Sequence, residues 1–208
     1  MRTKVFFDAE FSGLHQATTL ISLGIISECG KTFYAEFTDY DKTQIDDWLE
    51  ENVISNLSLS KNIDESAGKF YWRNSDDISV DNFECIGVSW MIANNLETWL
   101  SQFEEVEMWS DCLSYDWVLF CELFGHAFKI PKNVYYIPFD ICTLFLVKGI
   151  DPDASRERFA TNVYSENDEP LFFDENKNLL ETKKHNALWD AFVIRECHNK
   201  LNRIVKNE

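Results

Sequence analysis

A chain of 208 residues that is 45% apolar can bury the core of one globular domain and is short for two. Its formal charge of −17 excludes general nucleic-acid binding unless the charge is unevenly spread, and no apolar run nears the roughly 20 residues that span a membrane. The opening residues, MRTKVFF, lack the apolar stretch and cleavage site of a secretory signal, so a soluble cytoplasmic protein is expected.

In chain order, residues 4–7 read as a strand, 19–27 as a second and 31–38 (KTFYAEFT) as a third, with Cys29-Gly30 turning between the last two. This predicts a three-stranded antiparallel meander. Residues 44–53 have the composition of a short helix, and the polar segment 55–82, rich in Ser, Asn and Asp, reads as an insertion. Helical spacing of Trp90, Ala93, Leu96 and Leu100 predicts a helix over 87–103. EVEMWS (105–110) reads as a strand, and SYDWVLFCELFG (114–125) as a helix stopped by its glycine. NVYYIPF (133–139) predicts a short strand leading into a helix at 140–147, and an acidic loop covers 151–177. The last element is a long helix over 186–205 whose stripe includes Ile194, Cys197 and Leu201. The sum is an α/β domain with a mixed sheet spanning residues 1–208, interrupted by polar insertions at 55–82 and 151–177.

From Lys183 onward six basic residues face three acidic ones, a balance of +3, while the first 182 residues carry 13 basic and 33 acidic groups, or −20. The cationic end reads either as a solvated helix face beside an acidic, solubilising surface or as the place for a polyanion to approach. Six cysteines occur singly, with no CxxC pair, and read as reduced residues in apolar surroundings.

Four carboxylates lie where carboxylates are costly. In VFFDAEFSGL, Asp8 and Glu10 end an apolar strand, and side chains at i and i+2 of a strand share a face. Asp116 opens an otherwise apolar helix, with Leu119, Phe120 and Leu123 on its face, and Asp190 precedes Ile194, Cys197 and Leu201 on one stripe. A first-turn acid is ordinarily a helix cap worth about 0.3–1 kcal/mol. That explanation weakens when four acids fall where strand and helix ends converge, because unpaired charge in a core costs several kcal/mol. Divalent cations then become the natural counter-charge, and an all-oxygen set favours Mg²⁺ or Mn²⁺ over zinc. In HNALWDA, Asn186 is a plausible N-cap, which leaves His185 on the preceding loop and fixes Asp190 one turn into the helix. His15, His126 and His198 read as surface residues, Trp117 and Trp189 as core, and Asp111 and Asp140 as supporting acids behind the four.

The D-x-E of FFDAEF, the aspartate early in the helix of LSYDWVLF and the H-x-x-x-x-D of HNALWD, in that order on those elements, resemble the three motifs of the DEDDh 3′-to-5′ exonucleases. WSDCLSYDWVLFCELFG is most similar to the RNase T-like exoribonucleases of bacteria and their phages. The resemblance implies a ribonuclease H-like fold and two Mg²⁺ or Mn²⁺ ions about 3.5–4 Å apart. It assigns Asp8 to both ions, Glu10 and Asp190 to one, Asp116 to a water-mediated contact and His185 to the general base. It further implies a single-stranded nucleic-acid substrate, RNA favoured over DNA, nucleoside 5′-monophosphate products and a homodimer, without a membrane partner. Phe11 and Leu14 become candidates to hold the terminal nucleotide. A single-stranded deoxyribonuclease of the same fold and a non-catalytic nucleic-acid mimic are the alternatives.

Overall fold

The computed structural model describes residues 2–60, 81–174 and 176–204. Six strands form one mixed sheet: β1 (Thr3–Phe11), β2 (Leu20–Ser27), β3 (Thr32–Phe37), β4 (Asn82–Gly87), β5 (Val106–Ser110) and β6 (Phe139–Asp140), in the order β4-β3-β2-β1-β5-β6. β1 to β3 are the expected antiparallel meander, and Gly30 supplies the φ of 91° at the β2–β3 turn that a side chain would resist. β4 pairs with β3, β5 with β1 and β6 with β5, all in parallel.

The helices are α1 (Asp47–Asn52), α2 (Ser89–Leu100), α3 (Leu113–Leu123), α4 (Ile141–Val147), α5 (Arg156–Ala160) and α6 (Ala187–Arg203). Strand alternation divides the core into two layers. Phe7, Leu23 and Ile25 pack with Leu96 and Trp99 of α2 and Phe120 of α3, whereas Phe6 and Ile26 pack with Phe145 of α4 and Ile194, Cys197 and Leu201 of α6. β2, covered on both faces, is buried at every position, which is why it reads as a continuous apolar run. Full burial of Ile194 or Leu201 contributes about 1.5–3 kcal/mol each, enough to fix the α6 stripe against the sheet. This helix-covered mixed sheet is the ribonuclease H-like α/β arrangement. Among the described residues no helix is long and apolar enough to cross a membrane.

Several local expectations change. β4 falls at the end of what reads as a polar insertion: Phe83 and Cys85 are its only clear alternation, and its parallel partner β3 is distant in sequence. The interior of that insertion, residues 61–80, lies outside the described residues, as does Val205 at the end of the last helix. The strand expected over 133–139 is reduced to a bridge between Val134 and Val106 and the two-residue β6, because Pro138 offers no N–H to a ladder. Trp90 is 66% exposed, since the buried stripe of α2 runs through Ile92, Ala93, Leu96, Trp99 and Leu100. The acidic loop 151–177 carries α5, which packs on α6. All six cysteines are free, but Cys29 is exposed and only Cys85, Cys121 and Cys197 are buried. His198 is a core residue, its ring 5.0 Å from that of Phe6 and 4.8 Å from that of Trp109, and burial pushes its pKa down to about 4.

Candidate active site

Asp8 and Glu10 leave β1 on the same side as Phe6, the side covered by α6. In the ladder Asp8 stands opposite Gly24 and Glu10 opposite Ser22. Gly24 is bare for a reason: a Cβ there would lie 2.1 Å from the backbone nitrogen of Leu188. The first turn of α6 therefore rests directly on β2 beside Asp8. Asn186 caps this turn by accepting the Trp189 N–H at 3.3 Å, and Asp190 faces the strand end. Between Glu10 and Phe11 the β1–β2 register slips, leaving Ile21 without a partner on β1, and Ile21 packs on Leu49 and Val53. Such bulges re-aim side chains next to active sites.

Asp116 enters from the other layer, in the first turn of α3. The Ser110 hydroxyl, at the end of β5, donates to its Oδ2, while its buried Oδ1 has no hydrogen-bond partner among the described residues. Two clusters result, each with donor atoms within 4.8 Å of one another: Asp8, Asp111 and Asp116, and Glu10, His185 and Asp190. All but Asp116, which is fully buried beside Asp8, line one cleft of about 510 Å³, whose lining also includes Arg156 and Glu157 of α5 and Lys184. Arg156 approaches Asp111 at 3.4 Å and is braced by the carbonyls of Ala154 and Pro152.

Burial first, then mutual repulsion, raises the carboxyl pKa values throughout. Asp8 is driven well up by its burial and by the charges of Asp116, Asp190, Glu10 and Asp111. Burial and the charges of Asp190, Asp116 and Asp111 push Glu10 up to about 8. Asp116 also reaches about 8 through burial, against the opposing Ser110 hydrogen bond. Asp190 reaches about 8 through burial and the Asp111 charge, against the His185 N–H. Asp111 is raised by burial even though Arg156 pulls it down. These acids thus lack cations to balance them together. An unpartnered buried oxygen and a donor set of carboxylates with the single imidazole of His185 fit Mg²⁺ or Mn²⁺, and neither cluster gives zinc a thiolate.

His185 sits at φ 62°, a left-handed conformation that disfavours a side chain, and its N–H donates to Asp190 Oδ2 at 2.9 Å. Its Nδ1 lies 4.0 Å from Glu10 Oε1, too far for a hydrogen bond. Burial, then the Lys184 charge, lowers its pKa, so the ring is neutral at pH 7 and able to accept a proton.

The structure brings Asp8, Glu10, Asp116, His185 and Asp190 together. Phe11 lines the same cleft and stacks on Tyr115 at 5.2 Å and 16°, whereas Leu14 is 73% exposed and lies outside the cleft lining. Asp140 caps α4 by accepting the Cys142 and Thr143 N–H groups and is no part of the site. Trp117 and Trp189 pack in the core as expected. Asp111 stands beside Asp8 and Asp116 rather than behind them. Its position directly after an apolar strand, like that of Asp8, is the signal that identifies it. Arg156 gives no comparable signal, because it opens the five-residue α5, which is too short to show periodicity.

The Rv2179c-like 3′-5′ exoribonuclease domain family matches residues 3–201. Two relatives, the 3′-5′ exoribonucleases MT2234.1 and Rv2179c from two strains of Mycobacterium tuberculosis, are each 24% identical over 131 residues, covering 63% of this chain and 67% of theirs. The match extends from the first strand to the last turns of α6 and so takes in every acid of the cleft. The chain belongs to the Rv2179c-like 3′-5′ exoribonuclease domain family.

Proposed function

We propose that this chain is a divalent-cation-dependent 3′-to-5′ exoribonuclease of the DEDDh, RNase T-like type that trims single-stranded RNA or RNA 3′ overhangs to nucleoside 5′-monophosphates. The observation that carries this reading is the convergence of Asp8, Glu10, Asp111, Asp190 and His185 in a single cleft, with Asp116 buried against Asp8 and Asp111. Asp8, Glu10, Asp116 and Asp190 would hold Mg²⁺ or Mn²⁺, with Asp111 adjoining Asp8 and Asp116. Such ions, when bound, neutralise the carboxylates and the scissile phosphate and polarise its P–O bonds.

The chain's own residues supply the rest. His185, neutral and beside Glu10, takes a proton from the water that attacks the terminal phosphorus. The bond from phosphorus to the preceding O3′ breaks, that oxygen gains a proton, and the released nucleotide keeps its 5′-phosphate. Phe11, held rigid by Tyr115, offers an aromatic face at the cleft for a base without reading its identity. Leu14, exposed on the following loop, can meet the same nucleotide only if that loop moves toward the cleft.

Charge need not bar the polyanion. Lys184 stands at the rim and Arg156 in the wall, so cationic groups are present in the cleft of one chain. The reading also includes a cytoplasmic homodimer, in which the basic C-terminal end of one copy flanks the cleft of the other. Within that end Lys200 is engaged by the Phe159 carbonyl at 2.6 Å and by Asn162 at 2.8 Å, leaving Arg203 the freer charge; Lys206 lies outside the described residues. A monomer in sedimentation that degrades RNA at full rate would remove the dimer from the account.

The activity is tested with 5′-labelled single-stranded RNA and DNA of matched sequence in Mg²⁺ or Mn²⁺, beside Asp8→Ala and His185→Ala variants. A ladder shortening from the 3′ end on RNA, lost in Asp8→Ala and weakened in His185→Ala, is expected. Shortening of DNA alone would favour the deoxyribonuclease. Absence of cleavage, or cleavage indifferent to Asp8→Ala, overturns the site.

A further inference from the structure

His185 occupies the third position of the turn 183–186, closed by the Asn186 N–H donating to the Lys183 carbonyl at 2.9 Å. A glycine would adopt its φ of 62° without penalty, so something outside the turn must hold a histidine there. The contacts come from the segment that follows β3. Asn56 donates its side-chain amide to the Lys184 carbonyl at 2.9 Å, immediately before His185. Immediately after it, Asn186 donates its own amide to the Asn56 carbonyl at 3.0 Å. The histidine is bracketed by one residue.

That bracket is anchored in turn. The amide of Asn56 also donates to the Asn52 carbonyl at 2.6 Å, at the end of α1. Asn186 donates to the Tyr34 hydroxyl at 3.3 Å, and this hydroxyl donates to the buried Glu36 at 2.9 Å. Glu36 accepts the backbone N–H groups of Ser58, Leu59 and Ser60 at 2.7–2.8 Å, which fixes the chain just beyond Asn56. Tyr34, Glu36 and Asn186 are buried and mutually satisfied, and such a network holds a single geometry to which the half-buried Asn56 is tied. On the solvent side the ring of Trp48, on α1, meets that of His185 edge-on at 5.2 Å and 74°. The segment 47–60 meets the site through the histidine turn, at Lys184, His185 and Asn186.

We propose that Asn56 is a positioning residue for His185, holding the 183–186 turn so that the imidazole faces the Glu10–Asp190 side of the cleft, with Trp48 restraining the ring from outside. This rests on the reading of His185 as the proton acceptor. Asn56 acts on the proton-transfer step and leaves RNA binding alone. A general base must stand within reach of the proton it removes, so a loosened turn lowers kcat and spares KM.

The test joins kinetics with a direct view of the ring. Asn56→Ala is expected to lower kcat on single-stranded RNA roughly 10-fold or more with KM within about twofold. In a His185→Ala background the same change is expected to have no further effect, because the two residues act through one group. Trp48→Leu, at an exposed position that folding tolerates, gives a smaller loss of the same form. In the resting protein, NMR of the imidazoles is expected to show the His185 signals shifted or broadened in Asn56→Ala while those of the core His198 stay in place. Equal losses in both backgrounds, or unmoved His185 signals, overturn the proposal. If His185→Ala retains full activity, the reading of His185 as base fails instead, and the ring signals still decide whether Asn56 positions it.

Discussion

Replacing Asp116 by asparagine should make the cation-free protein more stable while disabling it. The carboxyl of Asp116 is buried and pushed from 3.8 to about 8. One pKa unit corresponds to about 1.4 kcal/mol, so holding this group ionised at pH 8 without a cation costs on the order of 5 kcal/mol. Its neighbours share protons, which reduces the recoverable part to about 2–4 kcal/mol. The sign follows from the raised folded-state value. Folding takes up a proton, so this group favours the fold fully below about 4, and that favour is lost as pH rises to about 8. Urea denaturation in EDTA should therefore show Asp116→Asn more stable than the parent by about 2–4 kcal/mol at pH 8 and by about 1 kcal/mol or less at pH 5. Comparing variant with parent at each pH cancels the titrating groups remote from Asp116, while Asp8 and Glu10, relieved of its charge, change in the same stabilising direction. Saturating Mn²⁺ should stabilise the parent more than the variant. No gain at pH 8, or equal gains at both pH values, would refute the argument that uncompensated carboxylates fill the cleft.

Gly24→Ala should cost at least about 2–3 kcal/mol by denaturation, because the new methyl meets α6 backbone rather than a yielding side chain, and Mn²⁺ affinity should fall with it as Asp190 is displaced from Asp8. A well-folded Gly24→Ala protein with parental affinity would contradict the close approach. His198, buried with its pKa lowered from 6.5 to about 4, favours the fold fully above about 6.5 and loses that contribution as pH falls toward 4; His198→Phe should flatten acid denaturation in that window by about 1–3 kcal/mol. Arg156→Met leaves Asp111 without its partner and should destabilise the EDTA-treated protein by about 2–4 kcal/mol at pH 8, with Asp111→Asn added to it restoring much of the loss.

The candidate site is legible in the sequence where chemistry breaks a pattern. Asp8 and Glu10 interrupt an apolar strand, and Asp116 and Asp190 interrupt apolar helix stripes, so local periodicity alone singles them out, and order along the chain links them to His185. The register between α6 and β2 was also written in the sequence, as the lone glycine of LISLGIIS, although nothing local says that a helix backbone lies against it. Long-range pairings were not legible. Arg156 meets Asp111, and Asn56 meets Lys184 and Asn186, across separations that leave no periodic trace. β4 was hidden because a short edge strand next to a polar segment carries too few alternations to stand out. His198 reads as a surface residue in the sequence because its neighbours Phe6 and Trp109 come from two different strands.

The most direct test is the identity of the first product released from single-stranded RNA carrying a labelled 3′-terminal nucleotide, incubated with Mn²⁺. A labelled nucleoside 5′-monophosphate, formed by the parent and abolished by EDTA or by Asp8→Asn, is the predicted result. A nucleoside 3′-monophosphate, a longer labelled fragment, or a product that survives Asp8→Asn would contradict the account.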